Sequence, residues 1–288
     1  MLQDGLLPTA GGTASRRMSN TFRQKILDST LKKYNRIACG LHLVQGIMML
    51  VVSQVMTGVK DFKKEVTTSY LTYNDDTHSL DSNTKKVFEV EIGLAAAVFL
   101  LMSAVGHCVV LVYFEDYLHN IERGRNPYRW IEYSVSSSLM ICAIAMLFGC
   151  YDLGSLLLIF SINAVMCGFG HLMEVMNPPS RQVTNWSPFI MGCVAGGAPW
   201  VVTLMYFLGG GNFSRIPDFV YGIFLGYAIF FNTFPINMAL QYSRVGRWSE
   251  YRFGELVYII LSLLSKSLLA WLVFGGTFQP DGDDDYNN

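Results

Sequence analysis

Lys266 stands alone as a basic residue inside an apolar, hydroxyl-bearing run, "IILSLLSKSLLAW" over residues 259–271. An ionisable side chain at the centre of a bilayer costs on the order of 2.5 to 3.5 kcal/mol, so it asks for a partner or a purpose. Lys266 lies about 13 residues, roughly 20 Å, from the start of its apolar span near residue 253, too deep for the ammonium to reach either surface fully. Two chemistries fit such a residue. It can be a structural lysine paired with a carboxylate, or its amine can be converted to an imine with a carbonyl ligand, because removing water penalises the ammonium and frees the nucleophile. A protonated imine would still need a counter-charge, since an unpaired buried cation loses its proton. "RNPYRWIEYSVSSS" offers one in Glu132, with Ser136 one turn deeper on the same face. Helical side chains lean toward their own N-terminus, so Lys266 points toward the end at which Glu132 sits. His42 and His107 enter their own runs at a similar depth. Taken singly, each histidine reads as a hydrogen-bonded interior residue; four ionisable side chains from four helices at one level read as a site.

The elements that must position these residues follow from composition. Of 288 residues 51% are hydrophobic and 15% charged, and the mean hydropathy is positive, too apolar for an ordinary soluble domain. A bilayer core of roughly 30 Å needs about 20 apolar residues. Seven stretches qualify, near 37–56, 90–112, 130–150, 154–176, 187–208, 217–240 and 253–275, with interfacial Tyr34, Tyr117, Trp130, Trp186 and Trp248 at their edges. The expectation is an all-α membrane protein, a bundle of seven transmembrane helices. Lys and Arg concentrate in residues 16–36, 123–129, at Arg181 and in 244–252, which places the N-terminus in the cytoplasm and the acidic tail "PDGDDDYNN" outside. No basic segment, short apolar core and cleavage site precede the first span, so no signal peptide is expected. The domain reading is a cytoplasmic segment 1–36, a bundle 37–275 and an extracellular tail 276–288. Residues 16–36 read as a basic amphipathic extension of the first helix, a lipid-binding role being the alternative.

Between the first two spans, "TTSYLTY" is β-prone and "NDDTHSLDSN" turn-rich, which predicts a short hairpin in the first extracellular loop. Elsewhere connections are short, with only a tight turn at Tyr151 to Leu153, and no internal repeat is visible. All six cysteines, Cys39, Cys108, Cys142, Cys150, Cys167 and Cys193, fall in or at the ends of spans and read as small packing residues. No phosphate loop, nucleophile elbow or His-Glu zinc helix occurs. The chain is therefore expected to be neither an enzyme nor a metal or nucleic-acid binder. Asn212 opens an "NFS" glycosylation tripeptide.

Taken together, "YNRIACGLHLVQG", Ser103-x-x-x-His107, "RWIEYS", "FFNTFPINMALQY" and Ser262-x-x-x-Lys266 resemble the heliorhodopsins, retinal-binding microbial rhodopsins, in order over residues 34–278. The resemblance implies all-trans retinal on Lys266, Glu132 as counterion, His42 and His107 beside a polar cavity, and Ser262 and Ser103 hydrogen-bonding nearby. It also implies an inverted topology, in agreement with the charge distribution, and a homodimer to which the first extracellular loop contributes. A polyene needs flat apolar walls, for which Met140, Phe160, Asn163, Phe230, Phe231 and Phe234 are placed; aromatic and Met residues at helical spacing read equally as bundle packing.

Three functions compete. A sensory photoreceptor would hold a released proton in the His42–His107 cavity, with a slow cycle and no net transport; no downstream partner is legible. The resemblance also admits light-driven or light-gated proton transport, for which Glu115, Asp116, Glu174 and Glu255 stand near the cytoplasmic ends of spans, most of them reading as interfacial solubilising charges. A ligand-activated receptor of the G-protein-coupled type is discounted, since no Asn-Pro-x-x-Tyr follows Lys266 and the topology is reversed.

Overall fold

The computed structural model describes residues 10–209 and 218–276. Its long helices are α1 (Ala10–Val55), α3 (Ile92–Val112), α5 (Pro127–Leu147), α6 (Leu153–Met176), α7 (Ser187–Gly209), α8 (Asp218–Tyr242) and α9 (Tyr251–Gly276); short helices α2 (Thr57–Lys60) and α4 (Phe114–Glu122) join them. Among the described residues six helices are long and apolar enough to cross a membrane: Leu27–Val55 within α1, and α3, α5, α6, α7 and α9. The span expected near 217–240 coincides with α8, a helix of 25 residues that is not one of those six. Helix α1 runs without a break through position 36, so the basic segment and the first span form one rod. The Asn212 tripeptide and the acidic tail after Gly276 lie outside the described residues.

Local chemistry explains the boundaries. Asn126 caps α5 by accepting a hydrogen bond from the Arg129 N–H, with Pro127 at the first helical position, where a missing N–H costs nothing. Asp152 caps α6 in the same way through Ser155. Side chains such as Leu158 and Val194, 72% and 67% exposed, point outward from the bundle, as they must where the surroundings are lipid rather than water.

The hairpin forms, longer than expected: β1 (Lys63–Asn74) pairs antiparallel with β2 (Ser79–Glu91), from Lys63 opposite Glu91 to Asn74 opposite Ser79, with a bulge between Val66 and Thr67. Asn74 Oδ1 accepts from the Asp76 and Thr77 N–H groups and closes the turn. Half of the stretch read as turn-rich, Ser79–Asn83, is second strand, because cross-strand pairing outweighs the weak strand preference of Asp, Ser and Asn. The Thr67 N–H reaches the Tyr151 carbonyl at 2.9 Å, anchoring the hairpin on the α5–α6 turn.

Helix α3 packs against α1, α5 and α9, α5 against α6, α6 against α7, and α8 against α9. Close approach between α5 and α6 depends on Gly170: a Cβ there would lie 2.2 Å from the Trp130 ring. The stacked pair Trp200 and Tyr227, 4.4 Å between centroids, bridges α7 and α8.

Candidate functional site

Lys266 is buried, 3% exposed, and its three ammonium donors are fully used. Nζ lies 2.6 Å from Glu132 Oε1, 2.8 Å from Ser103 Oγ and 2.9 Å from Ser136 Oγ. Ser103 Oγ is 2.8 Å from the same Glu132 oxygen, so the hydroxyl, the carboxylate and the amine form one closed network across α3, α5 and α9. The Tyr133 ring lies under Nζ at 4.8 Å and adds a cation–π contact. Glycine at position 106 makes room for the carboxylate, since a Cβ there would come within 2.5 Å of Glu132 Cγ.

His42 and His107 stack beside this network, 5.8 Å between centroids and 14° between planes. The Asn35 amide donates to the Leu31 carbonyl at 2.9 Å, which leaves its oxygen to accept from His107 Nδ1 at 2.8 Å and so assigns the proton to Nδ1. His42 is fully buried, and neither ring nitrogen has a hydrogen-bond partner among the described residues. Among the described residues neither histidine is hydrogen-bonded to Lys266 or Glu132.

Ser262 lies near this network without joining it. It is buried one turn from Lys266, but its Oγ makes no hydrogen bond among the described residues. The amine has no donor left for it, and the nearby Tyr133 hydroxyl is turned to the Tyr258 carbonyl at 3.3 Å.

On its other side Lys266 opens into an apolar cavity of about 390 Å³ walled by α5, α6, α7, α8 and α9, within the usual ligand-pocket range of roughly 300 to 1,000 Å³. Met140, Phe230, Phe231 and Phe234 line it; Phe160 and Asn163 do not. The Asn163 amide instead donates to Ser137 and Ser138 at 2.8 and 3.0 Å, tying α6 to α5, while α6 presents Met166, Cys167 and Gly170 to the cavity. Sequence reasoning missed the larger walls, Trp130, Tyr133, Trp200, Tyr227 and Tyr258. The signal for one wall was there in the glycines of "GCVAGGAPW" in α7: Gly192, Gly196 and Gly197 line the cavity, and a Cβ at position 196 would lie 2.6 Å from Met166 Sδ.

A second buried centre lies nearer the Pro127 end of α5. Arg129 is ion-paired to both Glu174 of α6 and Glu255 of α9. These two glutamates, among the four carboxylates weighed for a proton pathway of which most read as interfacial, are therefore interior, with side chains 1% and 2% exposed. The guanidinium supplies what position along the chain could not show, a partner from another helix. Asp116 is held by Asn120 and Tyr128 on the surface.

Comparison with known proteins bears on the family and the fold. The family model for heliorhodopsins matches residues 31–278. Among curated proteins none matches. Similar solved structures include xanthorhodopsin, described as a light-driven ion pump with dual chromophore, at TM-score 0.62 and 11% identity over 91% of this chain and 97% of that one. Exiguobacterium sibiricum rhodopsin follows at TM-score 0.59 and 14% identity, covering 86% of this chain and 96% of its own. Cyanorhodopsin from Tolypothrix gives 0.58 and 12%, covering 88% and 98%.

Proposed function

Because the chain belongs to the heliorhodopsin family, we propose that it is a sensory photoreceptor carrying all-trans retinal as an imine on Lys266, with Glu132 as counterion. Family and fold make it an integral membrane protein of the rhodopsin kind, responding to light through retinal. One observation carries the finer reading: Lys266 Nζ sits 2.6 Å from Glu132 at the wall of an apolar, ligand-sized cavity.

The residues fit the group. Phe230, Phe231 and Phe234 of α8 and Met140 of α5 would hold the polyene, and Lys266 would attach it. When bound, retinal supplies a conjugated system that absorbs visible light and isomerises. The free amine of the structure stands where the imine nitrogen would be. A protonated imine keeps a single N–H, which Glu132 would accept while compensating the charge, and the Ser103 hydroxyl, 2.8 Å from the same carboxylate oxygen, would hold Glu132 in place. His107 lines the same small cavity as Glu132 and stacks on His42, which supports a displaced proton held inside the protein and a slow cycle without net transport. The basic residues of 16–36 and 123–129 support a cytoplasmic N-terminus and an extracellular C-terminus for a seven-span bundle. The exposed apolar residues of the hairpin, Leu71, Tyr73 and Phe88, support a homodimer that uses it.

Replacing Lys266 with Ala and supplying retinal tests the attachment. No visible absorption band is expected, and a band that survived would overturn the assignment.

A further inference from the structure

The Arg129 centre holds two carboxylates against one guanidinium, and every carboxylate oxygen accepts a hydrogen bond. Glu174 Oε1 accepts from Arg129 and from the Tyr251 hydroxyl at 2.8 Å, and Oε2 from the Asn126 N–H at 2.8 Å. Glu255 Oε1 accepts from Asn126 Nδ2 at 2.6 Å and from the Tyr117 hydroxyl at 3.2 Å, and Oε2 from Arg129. With donors alone around them, both groups are arranged as ionised carboxylates. The remaining titratable neighbours are phenols, Tyr133 of α5, Tyr242 of α8 and Tyr258 of α9, and His171 of α6. Arg252, the other buried cation at this end, is turned away to Asp28 at 2.7 Å, with Glu122 and Glu250 beyond. One negative charge is therefore left without a cation, in surroundings where such a charge is costly and a proton would relieve it.

A second observation links this centre to Lys266. A small cavity of about 30 Å³, room for a water molecule or two, has both Glu132 and Glu255 in its wall together with Ser103, His107 and Arg129. The Nε of Arg129 is buried and has no partner among the described residues. Glu174 does not reach this cavity.

We propose that Arg129, Glu174 and Glu255 form a proton-accepting site, in which Glu255 takes up a proton that leaves the Lys266–Glu132 centre through this cavity. The inference rests on the light-driven reading of Lys266. An O–H bond forms on Glu255 as an N–H or O–H bond breaks at the first centre, and nothing is oxidised or reduced. Protonation leaves one carboxylate facing one guanidinium, so the cluster becomes neutral.

Infrared difference spectroscopy of the full chain in lipid tests this. Light on the retinal-loaded protein is expected to raise a carbonyl-stretch band of a protonated carboxyl. Acid in the dark is expected to raise the same band in the retinal-free chain. Glu255→Gln should abolish it. Tyr117→Phe, which removes one hydrogen bond to Glu255 and keeps the ring, should move it to higher frequency. Should Glu255→Gln fail to fold, the Tyr117→Phe shift decides alone. A visible photoproduct without any such band, or a band that neither substitution moves, overturns the site while leaving the retinal reading intact. A chain that forms no pigment sinks the retinal reading, and the light-driven step with it.

Discussion

At the scale of single residues, the site depends on how closely a carboxylate is held to one nitrogen. Glu132 meets Lys266 at 2.6 Å inside a shell of serine hydroxyls, so neither partner is left to the low-dielectric interior alone. In the pigment, Glu132→Gln removes the negative charge and keeps the shape. Its absorption band is expected to move strongly to the red, or to be lost as the nitrogen gives up its proton; an unchanged spectrum would exclude the counterion role. Gly106 offers a subtler test. The methyl group of Gly106→Ala would lie 2.5 Å from Glu132 Cγ, so the carboxylate must swing away or α3 and α5 must part. Overpacking of this kind costs about 1 to 3 kcal/mol. Thermal unfolding should fall accordingly, and the band should move in the same direction as in Glu132→Gln but less far. A lower melting temperature with an unmoved band would show that the glycine serves packing only.

Among the elements, the hairpin shows how pairing rather than composition makes a strand. Its β2 half carries Asp81, Ser82, Asn83 and two lysines, a poor strand composition, yet it pairs along its length with β1. Lys86 bridges Glu65 across the ladder at 2.7 Å and also contacts Glu89 on its own strand. Hydrogen bonding and charge from Lys86 hold the Glu89 carboxyl below its ordinary range. The contribution of that contact is therefore present at neutral pH and lost as pH falls through the lowered folded-state value. In a carboxyl-resolved NMR titration, Lys86→Ala is expected to raise the Glu89 midpoint toward that of a free glutamate. No movement would mean that the contact does not persist in solution. Because the pair is solvent-exposed and screened, the hairpin itself should survive the substitution.

For the whole molecule, the open question is where charge goes after light. The apolar cavity lies on one side of Lys266, and polar groups lead from the other side toward Arg129. A chain that keeps its proton among His42, His107 and Glu255 returns it to its origin and moves no net charge. Voltage-clamp recording under steady illumination is expected to show no sustained current. A sustained current would overturn the sensory reading in favour of proton transport.

The sequence by itself determined the apolar surroundings, the approximate positions of the helices, and that Lys266 and Glu132 point toward one another. Each of these follows from local quantities: mean hydropathy over a span, a rise of about 1.5 Å per residue, and the tilt of side chains toward the helix N-terminus. It also placed the hairpin, through the β-prone run at Thr67–Tyr73, though not its second strand. The family resemblance singled out Ser103, and only packing brought its hydroxyl within hydrogen-bond reach of both partners. Tertiary structure alone decided that Ser262 has no hydrogen-bond partner among the described residues, that Asn163 ties two helices together rather than facing a ligand, and that Glu174 and Glu255 are interior. Those facts depend on how each helix is rotated and how near its neighbours come. Rotation and approach are set by contacts between distant residues, such as Trp130 over Gly170, which no repeat along a single helix encodes.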